Sequence, residues 1–229
     1  MTKDRTPQCA KCPIPKGERY CRGPKGKGPA SCPSMTKKHL VEASLREYRE
    51  HFAEFAKQAA IQESVGYDRS GGDYATLKPV KPRIVEVVEF ARRMNYKKLG
   101  FIFCGGTADE ARVVQEILET NGFEVVSLVC KVGRIPKSAI GIEPSDQLEP
   151  GAVESACNPI MQAMAANEAG VDFNILLGLC VGHDSMAIKY LEAPTTVLAV
   201  KDRLLGHNPM AAIYLYDSYY RYLKKPLPV

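Results

Sequence analysis

Four cysteines crowded into the first 32 residues constrain this chain more than any other feature of its sequence. Cys9, Cys12, Cys21 and Cys32 lie in a stretch where Pro13, Pro15, Gly23, Pro24, Pro29 and Pro33 interrupt any helical or strand period, and where few apolar side chains are on hand to build a core. Something other than buried hydrocarbon must fold it. The spacing Cys-x2-Cys-x8-Cys-x10-Cys supplies one knuckle and two further sulfurs, which is what a metal-nucleated minidomain requires. Zinc or an iron–sulfur cluster is the expected metal centre on Cys9, Cys12, Cys21 and Cys32. Such a site is anionic, and residues 1–38 carry ten Lys/Arg against two Asp/Glu, a net +8 that would stabilise it. That charge needs no nucleic acid to explain it, since only Tyr20 interleaves an aromatic ring with the basic residues.

The remaining four of the eight cysteines, Cys104, Cys130, Cys157 and Cys180, are spread through a different kind of chain. Overall the sequence is 45% hydrophobic and 25% charged, which excludes wholesale disorder. No apolar run approaches the roughly 20 residues that span a bilayer, and the start MTKDRTPQC lacks the apolar stretch of a secretory signal. The expectation is a cytoplasmic protein with no membrane partner. In a reducing compartment, clustered cysteines point to metal binding or thiol chemistry rather than to disulfides.

Three segments follow from the pattern: a basic cysteine-rich minidomain over 1–34, a long helix and linker over 35–80, and an α/β domain over 81–229. In the second, Val41, Leu45, Tyr48, Phe52, Phe55 and Ala59 recur at spacings of four and three, which predicts one helix with an apolar stripe. The stripe suits packing across the main domain or an exposed arm used for homodimerisation. In the third, short apolar runs at 99–103, 123–129, 173–179 and 195–200 alternate with helical patterns, the last of them over 209–223. Thr107 and Glu110 are spaced as a capping box, and Asn158-Pro159 reads as a helix start. Alternation of this kind predicts right-handed βαβ units and a Rossmann-like, three-layer parallel sheet of about four strands.

On this reading Cys104, Cys130 and Cys180 each follow a strand, and Cys157 precedes a helix start. All four then face the carboxyl edge of the sheet, where loops converge and helix N-termini offer free N–H groups. Gly105 and Gly106 permit close approach of an anion or a cluster sulfide beside Cys104. Single cysteines on separate loops, with no paired knuckles, suit a [4Fe-4S] cluster held in the cleft with one iron open, a Lewis-acid or redox site of a lyase or oxidoreductase. His183, Asp184 and His207 at the same edge are the candidates for proton transfer. Lys201 and Arg203 could hold an anionic small-molecule substrate or be ordinary surface charges, and a cluster in the first segment would call for an electron-transfer partner. The metal-free alternative is a thiol-dependent or non-catalytic protein with only a zinc knuckle at its N-terminus, in which His183 activates Cys180.

Several longer strings carry a resemblance. The CAKC knuckle with Cys21 and Cys32, FCGGTADEA around Cys104, ACNPIMQA around Cys157, LGLCVGHDS around Cys180 and VKDRLLGHNP around His207 together resemble a family of uncharacterised prokaryotic predicted metal-binding proteins, a domain of unknown function with eight cysteines. The resemblance spans nearly the whole chain. It implies metal binding and no particular reaction.

Overall fold

Strand-forming runs become a sheet where neighbouring elements cover both of their faces. In the computed structural model, which describes residues 6–228 and so leaves Lys3, Asp4 and Arg5 of the basic segment outside it, those runs are Lys98–Phe103 (β1), Glu124–Val129 (β2), Phe173–Leu179 (β3) and Thr195–Val200 (β4). They pair in parallel in the order β2-β1-β3-β4. Every residue of β3 is buried, as are Leu99, Phe101 and Ile102 of β1. The helices are Lys38–Glu50 (α1), Ala53–Val65 (α2), Arg83–Arg93 (α3), Ala108–Thr120 (α4), Pro159–Glu168 (α5), His183–Tyr190 (α6) and Met210–Tyr214 (α7).

Strand order and handedness fix the layers. From β1 the chain steps one way through α4 to β2, then returns past β1 through α5 to β3 and continues through α6 to β4. Right-handed crossovers therefore put α4 on one face of the sheet and α5 and α6 on the other, and α5 packs against α6. The fold is the expected Rossmann-like three-layer α/β arrangement. Its chain direction reverses between β1 and β3, and a crevice opens at the carboxyl ends of two strands so related.

The chain divides into two compact units, one ending at Ile61 and one beginning at Gln62. The first holds three 3-10 turns, Cys9–Lys11, Lys16–Glu18 and Tyr20–Arg22, then a helical turn Pro33–Thr36 and α1. No residue from 6 to 61 is buried. The single helix predicted over 41–59 is split: His51 leaves helical geometry with φ −124°, and the Phe52 ring turns edge-on to Phe55 at 6.1 Å. Val41, Leu45, Tyr48 and Phe52 of the predicted stripe are 45–53% exposed.

Two further expectations are corrected. The helix predicted over 209–223 is only α7 followed by turns and a 3-10 segment at Arg221–Lys224. Its tyrosines bury too little to hold a helix, Tyr214 and Tyr219 being 76% and 84% exposed, and Tyr, Ser and Asp are weak helix formers. The Thr107 hydroxyl does not cap α4. It is buried and donates back to the Cys104 carbonyl at 2.9 Å. Asn158 does cap α5, its side chain accepting from the Met161 amide at 3.0 Å. Among the described residues no helix is long and apolar enough to cross a membrane.

One backbone irregularity shapes the site. Gly178, at φ +65°, sits at a register shift between β3 and β4, and a Cβ there would stand 2.7 Å from the Thr107 side chain. Gly178→Ala is expected to destabilise the second unit by roughly 1–3 kcal/mol through left-handed strain and crowding of Thr107. Thermal unfolding of the variant checks it, and an unchanged midpoint would show that the bulge relaxes freely.

Candidate functional site

Four consecutive strand ends line up along the carboxyl edge. The residues following β2, β1, β3 and β4 are Cys130, Cys104, Cys180 and Lys201, in that spatial order. The switch-point crevice lies between Cys104 and Cys180. Gln162, buried at the start of α5, donates to the carbonyls of Phe103 at 3.1 Å and Leu128 at 2.7 Å, tying together the ends of β1 and β2 just before their cysteines. Periodicity had marked Gln162 only as a helix residue. A polar side chain on the apolar face of ACNPIMQA was the signal that could have found it.

Cys157 arrives by a different route. The chain from Cys130 to Cys157 leaves the sheet and returns, and its stem is closed by the Asn158 amide donating to the Cys130 carbonyl at 2.7 Å and the Ala156 amide to Ile135 at 2.8 Å. This stem returns Cys157 to the end of β2 near Cys130, whose thiol it helps to push up.

Cys104 and Cys130 touch. The half-buried Cys104 sulfur takes a hydrogen bond from the Cys130 thiol, and with further help from the Gly106 amide and the Lys201 ammonium, its pKa is lowered to about 5 against the opposing effect of burial. The same contact, with burial, drives the Cys130 thiol up, and the neighbouring Cys157 adds to this. The two thiols titrate as a pair, one proton leaving more readily than from an ordinary thiol and the other less readily. The Gly105 amide donates to the Cys130 sulfur at 3.3 Å. Lys201 Nζ lies 3.3 Å from where a Cβ on Gly106 would stand, and Cys104 Sγ 3.9 Å from that point, so the glycine leaves the lysine its path to the sulfur.

Cys180 stands apart from this group. Its sulfur accepts from the Arg203 guanidinium at 3.0 Å, while its carbonyl receives the His183 and Asp184 amides at 3.0 and 3.1 Å. Lys201 and Arg203, read from sequence as substrate cations or as surface charges, each meet a cysteine instead. The proton-transfer candidates are occupied locally: Asp184 accepts from the Gly182 and Ser185 amides at 3.1 and 2.7 Å, and His207, at φ +65°, accepts the Asp202 amide on Nδ1 at 3.2 Å. His183 is partly buried in the first turn of α6.

The first unit has its own group of cysteines. Cys9, Cys12, Cys21 and Cys32 all line one cavity of about 100 Å³. The Cys12 amide closes the knuckle onto the Cys9 carbonyl at 3.3 Å, and the stretch between Glu18 and Lys27 is cross-bonded by Tyr20 to Lys27 at 2.7 Å and Lys27 to Glu18 at 2.8 Å. Arg19 reaches back to the Ile14 carbonyl at 2.9 Å. Among the described residues, no three Cys, His, Asp or Glu side chains are arranged to hold one metal ion.

With the geometry in place, comparison with known proteins gives two findings. Residues 32–198 match a family described as a protein of unknown function (DUF1847). An uncharacterised protein of Methanocaldococcus jannaschii is 40% identical over 192 residues, which cover 83% of this chain and 90% of that protein. No solved structure matches the chain.

Proposed function

The chain belongs to the DUF1847 family of proteins of unknown function, and because that membership brings no reaction with it, we propose from the site's own chemistry a thiol-dependent protein whose reactive group is the Cys104 thiolate, accompanied by a separate metal–thiolate centre on Cys9, Cys12, Cys21 and Cys32. The geometry that carries the reading is what gathers at one sulfur: Cys130 faces Cys104 from the adjoining strand end, and Lys201 Nζ and Cys104 Sγ lie 3.3 and 3.9 Å from the same point above Gly106, an environment that lowers the Cys104 pKa to about 5. A thiolate so supported is the nucleophilic form at neutral pH, where an ordinary thiol is almost wholly protonated. Lys201 and Arg203 bring two positive charges to the same edge, which favours a small anionic substrate or a substrate that develops negative charge on sulfur.

A cluster on the edge cysteines is the competing reading, and the return of the chain to set Cys157 at the end of β2 favours it. Against it stands the Arg203 guanidinium, which binds the Cys180 sulfur at 3.0 Å where a metal would need that sulfur unshared. The first unit differs in kind. Its four cysteines line one cavity, and an all-thiolate donor set suits zinc or an iron–sulfur cluster. Bound there, either would supply folding energy, and a cluster would add one-electron chemistry.

Two measurements on anaerobically purified protein test the proposal. Brief iodoacetamide labelling at pH 6, followed by peptide mapping, is expected to modify Cys104 ahead of Cys157 and Cys180. The bound metal, zinc or iron with acid-labile sulfide, is expected to disappear when Cys12 and Cys21 are changed to Ser and to persist in Cys104→Ser. Iron that is instead lost with Cys104→Ser, while the first four cysteines are intact, would place a cluster at the edge and overturn the thiol reading.

A further inference from the structure

We propose that Cys104 and Cys130 form a two-electron dithiol–disulfide couple in which Cys104 attacks an incoming disulfide and Cys130 resolves it. The proposal rests on the reading of Cys104 as the reactive sulfur and extends it to a substrate class, a disulfide, and to a second participating residue.

Register supplies the geometry. The last paired residues of β1 and β2 are Phe103 and Val129, so Cys104 and Cys130 are the next facing positions on adjacent parallel strands. Neighbouring strands lie about 4.7–4.9 Å apart, inside the Cα separation of roughly 4.4–6.8 Å that a disulfide accepts. The Gln162 amide, bonded to the carbonyls of Phe103 and Leu128, clamps both strand ends at that spacing. Both sulfurs lie against one turn, Cys130 Sγ 3.9 Å from where a Cβ on Gly105 would stand and Cys104 Sγ 3.9 Å from where one on Gly106 would.

Access and stabilisation then assign the roles. Cys130 is 3% exposed and Cys104 is only half-buried, so a reagent from solvent meets Cys104 first and reaches Cys130 only through it. Cys104 thiolate attacks one sulfur of R–S–S–R, forming a Cys104–S–S–R mixed disulfide and releasing R–S⁻. With Cys104 no longer charged, the reason for holding the proton on Cys130 is gone. That proton passes to the departing R–S⁻, and the Cys130 thiolate is received by the Gly105 amide, already 3.3 Å from its sulfur. Cys130 attacks the Cys104 sulfur, the Cys104–Cys130 bond forms, and the second R–S⁻ leaves to take a proton from water. The protein pair has lost two electrons and the disulfide has become two thiols.

Oxidised dithiothreitol and oxidised glutathione are the probes, applied to the full chain under anaerobic conditions. Trypsin separates the two cysteines into peptides 99–112 and 113–131, so the couple is read as one disulfide-linked pair by mass spectrometry. The pair is expected to form stoichiometrically, to revert with excess reduced dithiothreitol, and to need no variant for its detection. In Cys130→Ser, a single glutathione adduct is expected to accumulate on Cys104; in Cys104→Ser, none on Cys130. A stable adduct on Cys104 in the unmodified chain with no linked pair sinks the couple but leaves the thiolate reading standing. Linkage of Cys104 to Cys180, or of Cys130 to Cys157, overturns the pairing. No reaction at Cys104 in any form fails both readings together.

Discussion

Changing Cys12 and Cys21 together to Ser is expected to unfold residues 8–37 while the parallel sheet keeps its thermal transition. Ordering a chain costs on the order of 1–2 kcal/mol per residue, and a typical internal hydrogen bond returns only about 1 kcal/mol net. Globular folds make up the difference with buried apolar area. The first unit has none to use, since no residue from 6 to 61 is buried, and its turns are joined by a small number of backbone bonds between Gln8 and Lys37. The remaining source of stabilisation is whatever the four cysteines grip. Structural zinc sites in small peptides contribute roughly 10–16 kcal/mol, a scale large enough to decide between folded and unfolded.

The segment carries its own reporters. Lys11, Lys16, Arg19, Arg22, Lys25 and Lys27 are six tryptic sites, none followed by proline. In the metal-loaded chain they should be protected. In the double variant, or after chelation, cleavage at these sites is expected to accelerate by about two orders of magnitude or more, because proteolysis follows the population of the open form. Cleavage within 98–200 should be unaltered. Equal protection in the variant and the parent would mean that the turns hold without a metal, and the account of the first unit would be wrong.

Much of the second unit could be read from the sequence because its logic is local. A run such as FNILLGL, apolar but for Asn174 and bounded by helical patterns, reads as a central parallel strand, and β3 and β4 begin and end at the predicted residues. The placement of cysteines at strand ends followed directly. What each sulfur would touch did not follow, because that depends on strand order, which periodicity does not encode. The order β2-β1-β3-β4 sets Cys130 beside Cys104 and sends Lys201 across the end of β3 to reach them. It leaves Cys180 to Arg203, two residues further along the same loop. Thr107 illustrates a second limit. Its spacing from Glu110 fits a cap, yet burial against Gly178 gives its hydroxyl a nearer partner in the Cys104 carbonyl. The broken helix at His51 is a third: the apolar spacing runs on through 41–59, yet the backbone leaves helical geometry at His51.

Alkylation of Cys104 is expected to stay nearly independent of pH from 9 down to 6 and to fall tenfold per unit only below about pH 5, the value to which its pKa is lowered from an ordinary 9. The sign follows from which form reacts. Only the thiolate attacks, so a depressed pKa extends full reactivity to lower pH, and reactivity is lost as pH falls through the lowered value. At pH 6 the thiolate fraction is about 0.9 for Cys104 against about 0.001 for an unassisted thiol, a gain of roughly 900-fold. The weaker nucleophilicity of a less basic sulfur takes back about 40–100-fold. Cys104 should still react about tenfold faster than an ordinary cysteine. The groups facing it set how variants rank. Cys130 donates the largest share of the stabilisation, with Cys157 helping to keep the proton on Cys130, and Lys201 contributes after the Gly106 amide. Cys130→Ala is therefore expected to move the midpoint up furthest and Lys201→Met by less, both in the same direction. A midpoint that Lys201→Met raises and Cys130→Ala leaves in place would show that the lysine alone activates the sulfur and that the paired thiol is a bystander.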